Sequence, residues 1–214
     1  MPRYARIERE RLADALLDAG PDAPTLCEGW TTADLAAHVV TRDRRPDAAV
    51  GIMVKPMAGW TEHVRRQYRD DHPYPELVTM VRNAPSWNAF AAVPSLDELT
   101  NLIEFFIHHE DVRRGRPGWQ PRALEPELAA DLWKRVSGLA KLRLRRGPAR
   151  VTVRAPGYGE FTAGPSDAAA PQITMQGEPG ELVLFFFGRQ RAAKVDIDGP
   201  DELATKLRGI RSPV

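Results

Sequence analysis

The chain changes its hydrophobic period once, near Gly147-Pro148, and that change limits the folds open to it. Upstream, apolar residues recur at helical spacing; downstream they alternate. Spacing of three and four lines one face of a helix, and strict alternation lines one face of a strand. Arg3 to Ala19 reads as a helix with a modest apolar face of Ile7, Leu12, Leu16 and Leu17, stopped at Gly20-Pro21. In "TLCEGWTTADLAAHVVTRDRR", Thr31 suits an N-cap, with Asp34 three residues on as an imperfect capping box. That helix would carry Leu35, His38 and Val39 on one face. Pro46 and Pro56 imply broken helical pieces between Asp47 and Asn83. Ser95-Leu96-Asp97-Glu98 opens a helix that runs through "NLIEFFIHHEDVRRG" and ends at Gly115 and Pro117. Pro126 suits the first turn of the next helix, whose stripe is Leu128, Leu132, Val136 and Leu139.

After residue 147, "ARVTVRAPGYGEFTAG" alternates and turns at Pro156-Gly157, as a β-hairpin does. "QITMQG" and "AAKVDIDG" read as two more strands and "DELATKLRGI" as a closing helix. Glu181 to Phe187 is compatible with a buried strand or a short helix. The expectation is a mostly α chain: a helical bundle over 1–147 and a small α+β domain over 148–214.

Composition narrows the function classes. The 214 residues are 43% hydrophobic, enough for a real core, and the net charge is +1. No bulk field recruits nucleic acid or an acidic membrane. The single cysteine, Cys27, forms no internal disulfide. The N-terminus lacks a signal-peptide core, and "LVLFFF" falls far short of the roughly 18 apolar residues of a membrane span. The expected setting is cytoplasmic, with a small-molecule substrate and neither nucleic acid nor membrane as partner.

The chemistry sits on "EFFIHHEDVRRG". Ionisable groups on an apolar helix cost free energy unless paired or metal-bound. Glu104 and His108, spaced i, i+4, share one helix face, with Asp111 on the same stripe. His38, inside another apolar stripe, is the best third donor. Two imidazoles and one carboxylate leave coordination positions open, as in catalytic zinc sites, and would also suit ferrous iron. Asp34 and Asp111 are candidate acceptors for the imidazole N–H groups. Without a metal, Glu104 and His108 would form a surface pair or a buried hydrogen-bonded pair. His109 points about 100° away from His108 and is expected at the surface. Arg113 and Arg114 read as a solvated helix end. His63 and His72 lie in charged, Pro-broken sequence and are poor ligand candidates.

"LCEGWTTADLAAHVV" with "EFFIHHEDVRRG" resembles the mycothiol-dependent maleylpyruvate isomerase family, part of the DinB-like metal-binding four-helix bundles, and within it the actinobacterial metal-binding subgroup. The first motif, C-x-G-W-[ST]-x-x-D-[LV]-x-x-H, falls on Cys27 to His38; the second, E-x-x-x-H-x-x-D, falls on Glu104, His108 and Asp111. The resemblance implies His38, Glu104 and His108 as metal ligands, zinc foremost, and mycothiol as a co-substrate. It also implies a small sterol-carrier-like C-terminal domain, and favours a helix for Glu181 to Phe187. Residues 42 to 95 match no motif, so the substrate is open.

Other features read structurally. Cys27 precedes a helix N-terminus, which can activate a thiol, yet beside Trp30 it is expected to pack. Lys141 to Arg150 is a basic run without interleaved aromatics, a solvated face in most chains. Two functions remain: a thiol-dependent transferase or isomerase acting on a small electrophile, or a non-catalytic metal- or ligand-binding protein of the same fold. A facial-triad oxygenase is a more distant third.

Overall fold

The computed structural model describes residues 3–49, 51, 54–85, 94–167 and 169–210. Among these, the chain forms nine α-helices and one four-stranded sheet. In order they are α1 (Tyr4–Ala19), α2 (Thr32–Arg44), α3 (Pro46–Ala49), α4 (Ala58–Asp71), α5 (Tyr74–Arg82), α6 (Pro94–Arg113) and α7 (Pro126–Leu144). There follow β1 (Arg150–Ala155), β2 (Gly159–Ala163), β3 (Gln172–Gln176), α8 (Pro179–Phe186), β4 (Asp196–Asp198) and α9 (Asp201–Arg208). The expected mostly α fold, bundle first and small α+β part second, is the fold observed. No helix of the described residues is long and apolar enough to cross a membrane.

The described residues fall into two compact units, divided between Gln120 and Pro121. In the first, α1 packs on α6 and α5, and α2 packs on α4 and α5. Their shared core joins Leu12 and Leu16 of α1, Leu35 and Val39 of α2, Leu77 and Val81 of α5, and Phe105 of α6. The face proposed for α1 is only half used: Leu12 and Leu16 are fully buried, whereas Leu17 is 48% exposed.

Two helices of this unit are enclosed on nearly all sides. Every residue of α2 from Asp34 to Thr41 is buried, and so is every residue of α6 from Phe105 to Val112. Polar side chains on these stretches therefore lie inside the protein whichever way they point, so each needs a partner.

In the second unit the sheet runs β2-β1-β3-β4, with β1 antiparallel to β2 and parallel to β3. Val151 and Val153 face inward and alternate with more exposed neighbours. The expected boundary at residue 147 lies within this unit, because α7 belongs to it. Its buried stripe is Leu128, Leu132, Val136 and Ala140, with Leu139 only partly buried, and α8, β1 and β2 cover it. Trp133 of α7 packs against Phe161 of β2, ring centroids 5.3 Å apart and the planes tilted by 40°. The ambiguous "LVLFFF" is helical through Phe186, within α8, where all eight residues are buried, and Phe187 caps it. Its Glu181 is satisfied by the Lys194 backbone N–H at 2.7 Å.

Candidate functional site

The site lies in the first unit, where α2 and α6 face each other. α2 starts where the sequence places it. The Thr31 side chain caps the Asp34 N–H while the Asp34 carboxylate accepts from the Thr31 N–H, a complete capping box. The preceding loop is pinned to the end of α6 by the Leu26 N–H donating to the Asp111 carbonyl at 3.1 Å. Gly115 permits this approach, since a Cβ there would lie 2.0 Å from the Pro24 carbonyl oxygen. So fixed, the loop sets Cys27 Sγ 3.2 Å from Asp111 Oδ2 and leaves Trp30 beside His38, ring centroids 5.1 Å apart.

His38 Nε2 lies 3.6 Å from Glu104 Oε1, and His108 Nε2 lies 3.2 Å from the same oxygen. The two imidazoles meet edge to face, 5.2 Å between centroids. One donor atom from each of His38, Glu104 and His108 lies within 4.8 Å of the others. Donors about 2.0–2.1 Å from a tetrahedral zinc stand about 3.4 Å apart, so these spacings suit one ion with little movement. On its other side, His108 Nδ1 is 3.0 Å from Asp111 Oδ2. That carboxylate turns Nε2 toward His38 and Glu104, the orienting arrangement common behind metal-bound imidazoles. Cys27, His108 and Asp111 form a second cluster of donor atoms, which shares His108 with the first.

The electrostatics favour a cation here. Burial opposes charge on Glu104, but the hydrogen bond and charge of His108, with His38 and Arg42, hold its pKa well below the usual carboxylate range. Burial also opposes the His108 cation, yet its bonds to Asp111, Cys27 and Glu104 hold its pKa well above that of a free imidazole. Burial lowers the His38 pKa, against the pull of Glu104. The carboxylates thus favour the protonated form of His108, and burial favours the neutral form of His38.

Several expectations are corrected. Asp34 does not orient His38: Arg65 and Arg69 take its Oδ1 at 2.6 and 2.9 Å, and its capping role takes Oδ2. His109 is not at the surface. It is 7% exposed, with Nδ1 3.2 Å from Glu8 Oε2 on α1. Arg114 is no solvated end either, being buried against Glu110 at 2.6 Å and lying over the Trp119 ring. His63 stacks on Trp60, and His72 pairs with Glu76, both away from the cluster.

Sequence inspection passed over Arg42, whose Nε is 3.6 Å from Glu104 Oε1. Its position four residues after His38, one turn along the same face, was the available signal. Arg65, over the Trp30 ring at 5.0 Å, gave no such signal because it comes from α4.

Fold and site together define a helical unit that gathers two histidines and a carboxylate on buried helices, followed by a small α+β unit. The mycothiol maleylpyruvate isomerase N-terminal domain matches residues 3–150, and the chain belongs to that family. The matched span ends close to the boundary expected from sequence, whereas the compact units divide earlier. Among solved structures, the chain is similar to the mycothiol-dependent maleylpyruvate isomerase and to a histidine-to-alanine mutant of it. Both are 16% identical, over 94% of this chain and 96% of that one, with TM-scores of 0.53 and 0.54. At that identity the likeness establishes the fold. No curated protein matched the sequence.

Proposed function

We propose that this protein is a divalent-metal-dependent enzyme that uses a small thiol, mycothiol or a close equivalent, to transfer to or isomerise a small electrophile. The observation that carries it is the convergence of His38, Glu104 and His108 within the family's matched span. These three would hold the ion, zinc by the mix of imidazole and carboxylate. When bound, the ion would supply Lewis acidity that favours a thiolate near neutral pH.

The chain's own residues have distinct parts in this scheme. Asp111 holds His108 Nδ1 and so keeps Nε2 toward the ion. Arg42, 22% exposed beside Glu104, is placed to hold a carboxylate of an anionic electrophile. Trp30 forms an apolar wall against His38. Cys27 bonds to Asp111 on the far side of His108, which supports a structural thiol rather than a nucleophile. The non-catalytic alternative calls for a fourth protein donor on the ion. Among the described residues, Asp34 is taken by arginines and Asp111 sits at the Nδ1 side, which supports turnover instead.

Metal content measured by mass spectrometry on untagged protein tests the first half. About one ion per chain is expected, lost in His38→Ala, Glu104→Ala and His108→Ala. Thiol consumption across a panel of electrophiles tests the second half. Metal-loaded protein that never exceeds the spontaneous rate would leave a binding protein.

A further inference from the structure

The second unit contains a cavity of about 330 Å3. Lys141 in the last turn of α7, Arg145 at its C-terminal cap, Arg150 at the start of β1 and residues 162–165 at and just past the end of β2 line it. Its size is at the lower end of small-molecule sites. The three cations come from two different elements, and no carboxylate among the described residues pairs with any of them. Other basic side chains either pair with acids, as in Arg9–Asp43, Arg65–Asp34, Arg114–Glu110 and Arg154–Glu160, or donate to backbone carbonyls, as Arg143 and Arg208 do.

Solvation of a helix end accounts for part of this. A cation in the last turn of α7 is favoured by the helix dipole. The dipole does not account for Lys141 and Arg145 together, since like charges at i, i+4 repel on one helix face. Nor does it account for Arg150, which is a strand residue. Arg150 is brought to the same wall by a close approach of the strands. At Gly164, φ is +144°, and a Cβ would lie 2.6 Å from the Ala149 carbonyl oxygen and 2.8 Å from Arg150 Cα. Glycine therefore allows the end of β2 to sit against the start of β1.

Two guanidinium forks and an ammonium around one cavity, with a threonine in the wall and no acid, match the oxygens of a phosphate group. We propose that this cavity binds the phosphate group of a small anion, held by Lys141, Arg145 and Arg150. The site is independent of the donor group in the first unit and shares no residue with it. A single-stranded nucleic acid would call for stacking aromatics, and none lines the cavity.

Calorimetric titration of the full-length protein with inorganic pyrophosphate tests this. Saturable binding to one site is expected, weakening as ionic strength rises. The triple change Lys141→Gln, Arg145→Gln and Arg150→Gln should weaken it by about tenfold or more, with an unchanged far-ultraviolet spectrum. The single exposed change Arg145→Glu should act in the same direction if the triple variant folds poorly. His108→Ala should bind pyrophosphate like wild type, which separates this cavity from chelation at the metal group. Phenyl phosphate binding tighter than inorganic phosphate would mark a phosphorylated metabolite as the ligand, and equal binding would mark the free anion. Absence of saturable binding would overturn the proposal, as would equal binding by the charge-neutral variants. So would an RNA oligonucleotide that displaces pyrophosphate with affinity rising with its length.

Discussion

His108 and His109 are neighbours on one helix, equally buried, and they serve opposite ends. His109 faces α1, where Glu8 takes its Nδ1, and the adjacent Glu110 is closed off by Arg113 and Arg114. Each acid on that side spreads two bases over its two oxygens, Arg11 and His109 at Glu8 and Arg113 and Arg114 at Glu110. On the other side, His38 and His108 direct their Nε2 atoms at the same oxygen of Glu104. Arg42 Nε lies 3.6 Å from that oxygen as well, so three bases converge on one carboxylate oxygen where the proposed ion would sit. The same residue types thus build a closed strut on one face and the proposed metal site on the other. The difference lies in how the bases share the carboxylate oxygens rather than in burial.

The strongest way to break this comparison is to open the strut. Glu110→Ala removes the partner of a buried guanidinium, a change that typically costs about 3–5 kcal/mol. Urea unfolding of the metal-free variant should show that loss, while metal content per chain stays at the wild-type level. Loss of metal with stability intact would mean that the two faces are not separate devices.

The converse experiment loads the site. Zinc at about a hundred times its dissociation constant should stabilise the wild type by about 2.7 kcal/mol, and His38→Ala should gain nothing. In metal-free protein His38→Gln, which keeps most of the side chain's volume, should change stability by less than about 1 kcal/mol, since burial already favours the neutral form of His38. A large loss in the metal-free variant would place His38 among the strut residues.

How far sequence could see into this arrangement follows the same division. The meeting of His38 with Glu104 and His108 was legible because a lone histidine in an apolar stripe and an i, i+4 pair each lacked a local partner. Asp111 was legible as the companion of His108 for the same reason of spacing. His109 was misjudged because helical spacing tells which way a residue points and not what stands there; its partner, Glu8, lies 101 positions away. Asp34 was misassigned likewise, since Arg65 and Arg69 arrive from α4 in a region without a motif. Three of the four stripe residues expected on α7 are buried and Ala140 stands in for Leu139, but a stripe does not say which unit covers it. "LVLFFF" is apolar on every side, so its period could not distinguish strand from helix; the family resemblance favoured the helix, and α8 shows it.

A finer cut asks whether Asp111 belongs to the site or merely packs behind it. It is fully buried and accepts from Cys27 while facing His108 Nδ1. Asp111→Asn keeps the shape but removes the charge that orients the imidazole. Zinc affinity from chelator competition should fall about 10- to 100-fold, the usual consequence of losing such a partner. Affinity equal to wild type would reduce Asp111 to a packing residue.

The smallest effect separates placing the helix from building the site. Thr31→Ala removes the side-chain half of the capping box that starts α2, at a cost of about 1 kcal/mol. Asp34 keeps Arg65 and Arg69, and the loop keeps its bond from the Leu26 N–H to the Asp111 carbonyl. His38, seven residues into the helix, should therefore remain opposite Glu104. A lower urea midpoint with unchanged zinc affinity is the expected pair of results. If affinity fell along with stability, the cap would be part of what aims His38, and the proposed metal site would extend into the loop that carries Cys27 and Trp30.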